Sequence, residues 1–211
     1  MGRENKNAAV AAVHKEKILK SAERLFSEKG FEAATIEEIS RASEYSRRTI
    51  YAYFQSKEDI RRGIVIWGLS ELKGDIEAAL SREKSYDAQC RDIFFAMGSF
   101  FEKYPMAAMD IDSFKPQETD LSSLSPSVKE IFALGTEIND LMSSFIRRGM
   151  ENGYVRKGID PVLTAYILWS EASGFFGLLQ SKGRLMETQF SMTREELCEY
   201  GFKQIYNSIL L

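Results

Sequence analysis

Apolar residues recur along most of this chain at three- and four-residue spacing, and no stretch alternates apolar with polar between hairpin turns, so the pattern predicts an all-α protein. After an arm of about a dozen residues, Ile18, Ala22, Leu25 and Phe26 share one helical face, and Gly30 supplies a stop. Thr35-Ile36-Glu37-Glu38 has the form of a capping box, in which both side chains satisfy orphan amide hydrogens. It opens a short helix ending near Ala42. Ser46 caps a third helix, SRRTIYAYF, and Ser56 with Asp59 caps a fourth that starts near Lys57 and runs past Trp67 and Leu72 toward Leu80.

Farther on, Cys90, Ile93, Phe94, Met97, Phe101 and Tyr104 form an apolar stripe that Pro105 ends. The segment from Met106 to Ser125 lacks long periodicity and reads as irregular. Ser125-Pro126 and Asp160-Pro161 each pair a cap with a proline at the first helical position. The helices they open are expected to reach Asn152-Gly153 and about Leu179. Thr193 with Glu196 makes another capping box, for a last helix running to the chain end.

Net charge changes this picture only through its distribution. The whole chain of 211 residues carries −3, yet residues 1–62 hold 13 Lys and Arg against 10 Asp and Glu, leaving 15 against 21 for the remainder. A basic head and an acidic body follow, and phosphate binding needs cations. Cys90 and Cys198 have no CxxC partner and read as buried thiols of a reducing compartment, with a structural pair across the fold as the alternative. No run reaches the roughly 18 apolar residues that span a bilayer, and the N-terminus is too interrupted for a secretory signal, so the expected location is cytoplasmic. His14 is the single histidine, which removes histidine-based triads and multi-histidine metal sites. Glu37-Glu38 and Glu195-Glu196 lie in helix first turns, where capping explains them, and there is no glycine-rich phosphate loop. Catalysis, cofactors and metals are not expected.

Residues 35–54 have the spacing of a helix-turn-helix, with Ile36, Ile39, Ala42, Tyr45, Ile50 and Phe54 inward and Arg47, Arg48, Thr49, Tyr51 and Tyr53 outward. The run TIEEISRASEYSRRTIYAYFQSKEDI resembles the helix-turn-helix of the tetracycline-repressor (TetR) family. The resemblance covers about residues 15–62, through Thr-x-x-x-Ile ahead of Ser-x-x-Thr-x-Tyr-x-x-Phe-x-x-Lys. It implies a DNA-binding domain over residues 1–62, with an effector-binding and dimerisation domain over 63–211. It also implies that Thr35 and Lys57 clamp phosphates from helix starts, where anions are favoured. Ser46, Arg47, Arg48, Thr49 and Tyr51 fall on the groove-facing helix and Tyr53 on its phosphate-facing edge, with Arg47 and Arg48 as base readers. The family's turn usually has glycine where this chain has Glu44, so Glu44 is expected to take a left-handed conformation at about 1 kcal/mol.

In the acidic body, Phe94, Met97, Phe101 and Tyr104, then Phe114, then Phe132, Met142 and Phe145, then Tyr166 and Trp169 supply large soft side chains. Such residues make ordinary core or line an apolar effector cavity, and the resemblance implies a cavity. It likewise implies a homodimer through the last two helices, here by way of Gly174, Phe175, Gly177, Leu178, Phe202, Ile205, Tyr206 and Ile209. The function so implied is a repressor of a double-stranded DNA operator, released by a small-molecule effector. A ligand-independent DNA-binding or protein-assembly dimer is the alternative.

Overall fold

The computed structural model describes the backbone of residues 3–80, 84–113 and 124–210. Among these, nine helices form: α1 (Arg3–Lys29), α2 (Ile36–Ser43), α3 (Arg47–Tyr53), α4 (Lys57–Ala79), α5 (Tyr86–Lys103), α6 (Pro105–Ser113), α7 (Pro126–Glu151), α8 (Pro161–Phe190) and α9 (Arg194–Asn207). The only β pairing described is an isolated bridge between Val155 and Leu210. The all-α reading holds.

Helix starts follow from the caps. Thr35 and Thr193 each complete a capping box, with Glu38 and Glu196, and the Asp160 carboxylate accepts the Leu163 N–H ahead of Pro161. Gly30 closes α1 at φ 84°, a left-handed angle that only glycine adopts freely. Three boundaries differ from expectation. The predicted arm is helical from Arg3, since residues 8–13 are rich in alanine and contain no breaker. Just ahead of the stretch read as irregular, Pro105 opens α6, which runs into that stretch, instead of only closing α5, because proline fits the first helical turn as well as it stops a preceding one. Helix α8 runs 11 residues beyond Leu179 to Phe190, because its one later glycine, Gly183, is accommodated inside the helix, and Ser191 ends it at φ 51°.

The described residues form two compact units. One draws on residues 1–68 and 104–131, the other on 69–103 and 132–211. In the first, Ile18, Ala22 and Phe26 of α1 are buried with Ile39, Ile50, Ile60 and Ile64. Helix α6 joins this unit through the Arg61–Asp110 ion pair, through Trp67 edge-on to Tyr104 at 5.0 Å, and through the Met106 N–H donating to the Glu23 carboxylate at 3.0 Å.

In the second unit, α5, α8 and α9 pack around Phe94, which is fully buried. Two glycines set the spacing of this core. A Cβ on Gly98 would lie 2.7 Å from the Phe176 ring, and one on Gly201 only 2.4 Å from Phe175. Helix α8 is apolar on both sides. Ala165, Leu168, Ala172, Phe176 and Leu179 face inward, whereas Leu163, Ile167, Leu178 and Leu185 are exposed. That two-sidedness corrects the bilayer reading above, since α8 is long and apolar enough to cross a membrane by length and composition. Burial of its inward side is the pattern of a core helix.

Candidate nucleic-acid interface

The turn between α2 and α3 is built by its own residues. Glu44 sits at φ 61° and ψ 19°, the left-handed conformation expected of it, and its carboxylate pairs with Lys17 of α1. The charge that Glu44 brings toward α3 is thereby matched. Two residues on, the Ser46 hydroxyl accepts the Thr49 N–H at 3.1 Å and lies 2.9 Å from the Thr49 hydroxyl. This cap fixes the first turn of α3, a helix of seven residues that is too short to persist on its own. Ile50 and Phe54 anchor it to the core.

With those two residues inward, Ser46, Arg47, Arg48 and Tyr51 are exposed, Tyr51 by 54%, and Thr49 and Tyr53 are half-buried. Neither Arg47 nor Arg48 belongs to an ion pair among the described residues. Two guanidinium groups and several hydroxyls therefore stand on one solvent-facing surface. Arginine in that setting suits bidentate contact with guanine O6 and N7, or with a phosphate.

The two residues expected at phosphate clamps are placed differently. Thr35 is exposed at the α2 N-terminus, and its hydroxyl and N–H both donate to Glu38 at 3.0 Å. Lys29 beside Glu38, together with these Thr35 donors, holds the Glu38 carboxyl well down, at about 2. The Lys57 ammonium turns into the protein, donating to the carbonyls of Phe31 (2.8 Å), Ala34 (3.1 Å) and Glu32 (3.2 Å) while lying 4.4 Å from the Phe31 ring centre. An ammonium has three donors, and this loop takes all three. Sequence reasoning missed that, because spacing alone does not show which way a lysine head turns. Lys57→Ala is expected to lower stability by about 2 kcal/mol, since it strips charged donors from three carbonyls. Thermal unfolding followed by circular dichroism measures it, and an unchanged melting temperature would refute the bracing role.

Sequence-nominated residues of the second unit divide into groups. Phe94 and Phe101 are buried and pack on Phe176 at 4.8 and 5.8 Å, and Phe145 stacks on Tyr86 at 4.3 Å. Met97 and Met142 are buried as well, Trp169 lies 6.2 Å from Phe101, and Phe132 is half-buried. Tyr166 is 60% exposed on α8 and does not join them. Tyr104 belongs to the first unit, and Phe114 lies outside the described residues. Of the residues nominated for a dimer interface, Gly174 and Leu178 are exposed, Phe175, Gly177, Phe202 and Ile205 are half-buried, and Tyr206 and Ile209 are buried.

Comparison with known proteins agrees with this geometry. Residues 18–64, which run from α1 through α3 into α4, match the family model of bacterial regulatory proteins, tetR family. The uncharacterized HTH-type transcriptional regulator YhgD of Bacillus subtilis is 24% identical over 155 residues, covering 73% of this chain and 78% of YhgD. The crystal structure of the TetR family transcriptional regulator PfmR from Thermus thermophilus superposes with a TM-score of 0.68 at 26% identity, covering 90% of this chain and 97% of PfmR. FadR from Bacillus subtilis, solved in complex with stearoyl-CoA, shares the fold with a TM-score of 0.68 at 13% identity over 90% of this chain and 95% of FadR. With its capped α2 and α3 and its outward arginines, the segment from residue 18 to 64 matches the tetR family of bacterial regulatory proteins, and the chain as a whole is similar in fold to a TetR family transcriptional regulator.

Proposed function

We propose that this regulator is a cytoplasmic repressor that grips its operator as a homodimer through α3, and releases it when an apolar small molecule binds the C-terminal domain. Residues 1–62 are the DNA-binding domain in this reading, and 63–211 the effector-binding and dimerisation domain. The observation that carries it is the exposed, cationic and hydroxyl-bearing side of α3, with Arg47 and Arg48 in no described ion pair. Two copies bring two such surfaces to successive major grooves about 34–36 Å apart.

Two features of the second unit support the dimer. The outward stripe of α8 has Gly174 and Gly177 among its apolar residues, each with open space where a Cβ would stand, so a neighbouring helix can come close. A half-open groove of about 770 Å³, lined by Phe175, Met186, Phe190, Met192, Tyr200 and Ile205, adjoins it, with Phe190 and Tyr200 exposed by 55% and 59%. An apolar surface of this extent is normally covered. The likeness to FadR in its stearoyl-CoA complex supports an apolar effector class. If the effector binds best to a head spacing that the operator does not fit, each ligand weakens the other by the same factor.

Selection from a random duplex library tests the DNA half of the proposal. Inverted half-sites are expected, and Arg47→Ala should relax preference at one position of each, costing about 1–3 kcal/mol there. Failure of the protein to retain any duplex at low ionic strength would overturn the reading. Glu44→Gly is expected to tighten binding severalfold at low salt, because it removes an anion beside α3. It should cost no stability, since relief of the left-handed strain, about 1 kcal/mol, offsets the exposed ion pair with Lys17. Weaker binding by this variant, read by fluorescence anisotropy, would contradict the placement.

A ligand-independent dimer is the second reading. What favours it is that Phe94, Phe101 and Phe145 are packed ring on ring as core. Operator affinity unchanged by stearoyl-CoA and by shorter acyl chains would support it.

A further inference from the structure

The single histidine of the chain stands next to the groove-facing helix. His14 is half-buried on α1, with Nδ1 2.9 Å from the Tyr53 hydroxyl. Its ring lies edge-on to Tyr53 at 5.8 Å and tilted over Tyr45 at 4.9 Å. One turn later Lys17 lies 5.5 Å from the Tyr45 ring centre and pairs with Glu44. His14 and Lys17 thus touch the chain on both sides of α3, at the Glu44-Tyr45 turn that precedes it and at Tyr53, its last residue. Such a contact matters for a helix of two turns, whose roll about its own axis is set by what packs against it.

The hydrogen bond has a direction with a chemical consequence. A phenol that donates its proton to the imidazole has only lone pairs left to show a phosphate, which is itself an acceptor. A phenol that accepts from Nδ1–H keeps its own proton for the phosphate. We propose that His14 is a positioning residue for operator binding: its Nδ1–H donates to the Tyr53 oxygen, fixes the phenol at the edge of α3, and leaves the Tyr53 O–H to donate to a backbone phosphate. The inference rests on the DNA-binding reading above and adds to it a residue outside the helix-turn-helix. Because the contact is to a phosphate, it strengthens binding on every sequence and does not alter base preference.

Three variants separate the parts of this arrangement. His14→Phe keeps a ring against Tyr45 and loses the hydrogen bond, His14→Asn keeps an N–H near the Nδ1 position, and Tyr53→Phe removes the phenol itself. Each is measured for affinity to a random-sequence duplex at low salt and to the duplex selected by the wild-type protein, alongside thermal unfolding. Loss of one hydrogen bond to a charged acceptor corresponds to about a tenfold weakening. His14→Phe and Tyr53→Phe should each show it on both duplexes, the double variant should be no weaker than either single one, and His14→Asn should stay within about threefold of wild type. Additive losses in the double variant, or His14→Phe binding as tightly as wild type, would overturn the proposal while leaving the DNA-binding reading intact. Failure of the wild-type protein itself to bind either duplex would instead remove that underlying reading. A lowered melting temperature in His14→Phe together with equal losses in His14→Asn would mark the histidine as structural only and also overturn the proposal.

Discussion

Phe94→Ala is expected to destabilise the second unit by about 3–5 kcal/mol, the largest effect of any single substitution considered for this protein. Phe94 is fully buried, and its ring meets those of Phe176 at 4.8 Å, Phe95 and Phe202 at 5.7 Å, Phe175 at 6.0 Å and Tyr206 at 6.4 Å. Edge and tilted ring contacts add to the area each ring removes from water. The surroundings have little freedom to collapse into the gap. Phe176 already lies against the α5 backbone at Gly98, and Phe175 against α9 at Gly201, so both rings are held at van der Waals distance on their far sides. Urea unfolding followed by circular dichroism gives the value. A loss below about 1 kcal/mol would show that the cluster lines a space and is not a packed core.

Glu23→Gln is expected to stabilise the first unit at pH 8 and to change it little at pH 5. Glu23 is only 5% exposed and accepts the Met106 N–H with one oxygen, while its other oxygen has no hydrogen-bond partner among the described residues. Burial pushes its carboxyl up, with Asp110 adding repulsion and the Met106 N–H pulling back, to about 7 from the usual 4.5. A carboxyl raised in this way is protonated more readily in the folded chain than in the unfolded one. Between pH 4.5 and about 7 the folded state therefore holds the extra proton, and stability falls as pH rises through that window. By pH 8 the full penalty is present, on the order of 3 kcal/mol, and the neutral amide of glutamine escapes it. Urea midpoints at pH 5 and pH 8 for both proteins measure the difference. A wild-type protein with equal midpoints at the two pH values would refute the assignment.

The helix starts and the α2–α3 turn were legible because their structure is local. Capping boxes at Thr35 and Thr193, the Ser46 cap and the strained Glu44 each depend on side chains within three or four residues of the backbone they serve. The inward and outward sets of α3 follow from helical spacing in the same way. What the spacing left open depends on distant partners. Nothing near Lys57 in the sequence indicates carbonyls 23 to 26 residues earlier, and nothing near His14 indicates a phenol 39 residues later. Helix α6 was hidden because it is short and its residues satisfy an ion pair and a buried carboxylate on other helices. The aromatic stripes were legible as apolar, but spacing alone does not distinguish a ring that packs against another ring from one that lines a cavity.

The exposed side of α8 matters before the protein is ever at work. A newly made chain presents Leu163, Ile167, Leu178 and Leu185 to water along a helix of 30 residues, an adhesive strip for any other unfinished polypeptide nearby. In the dimer proposed above a second copy covers this strip, so recovery of intact material after synthesis depends on how soon two copies meet.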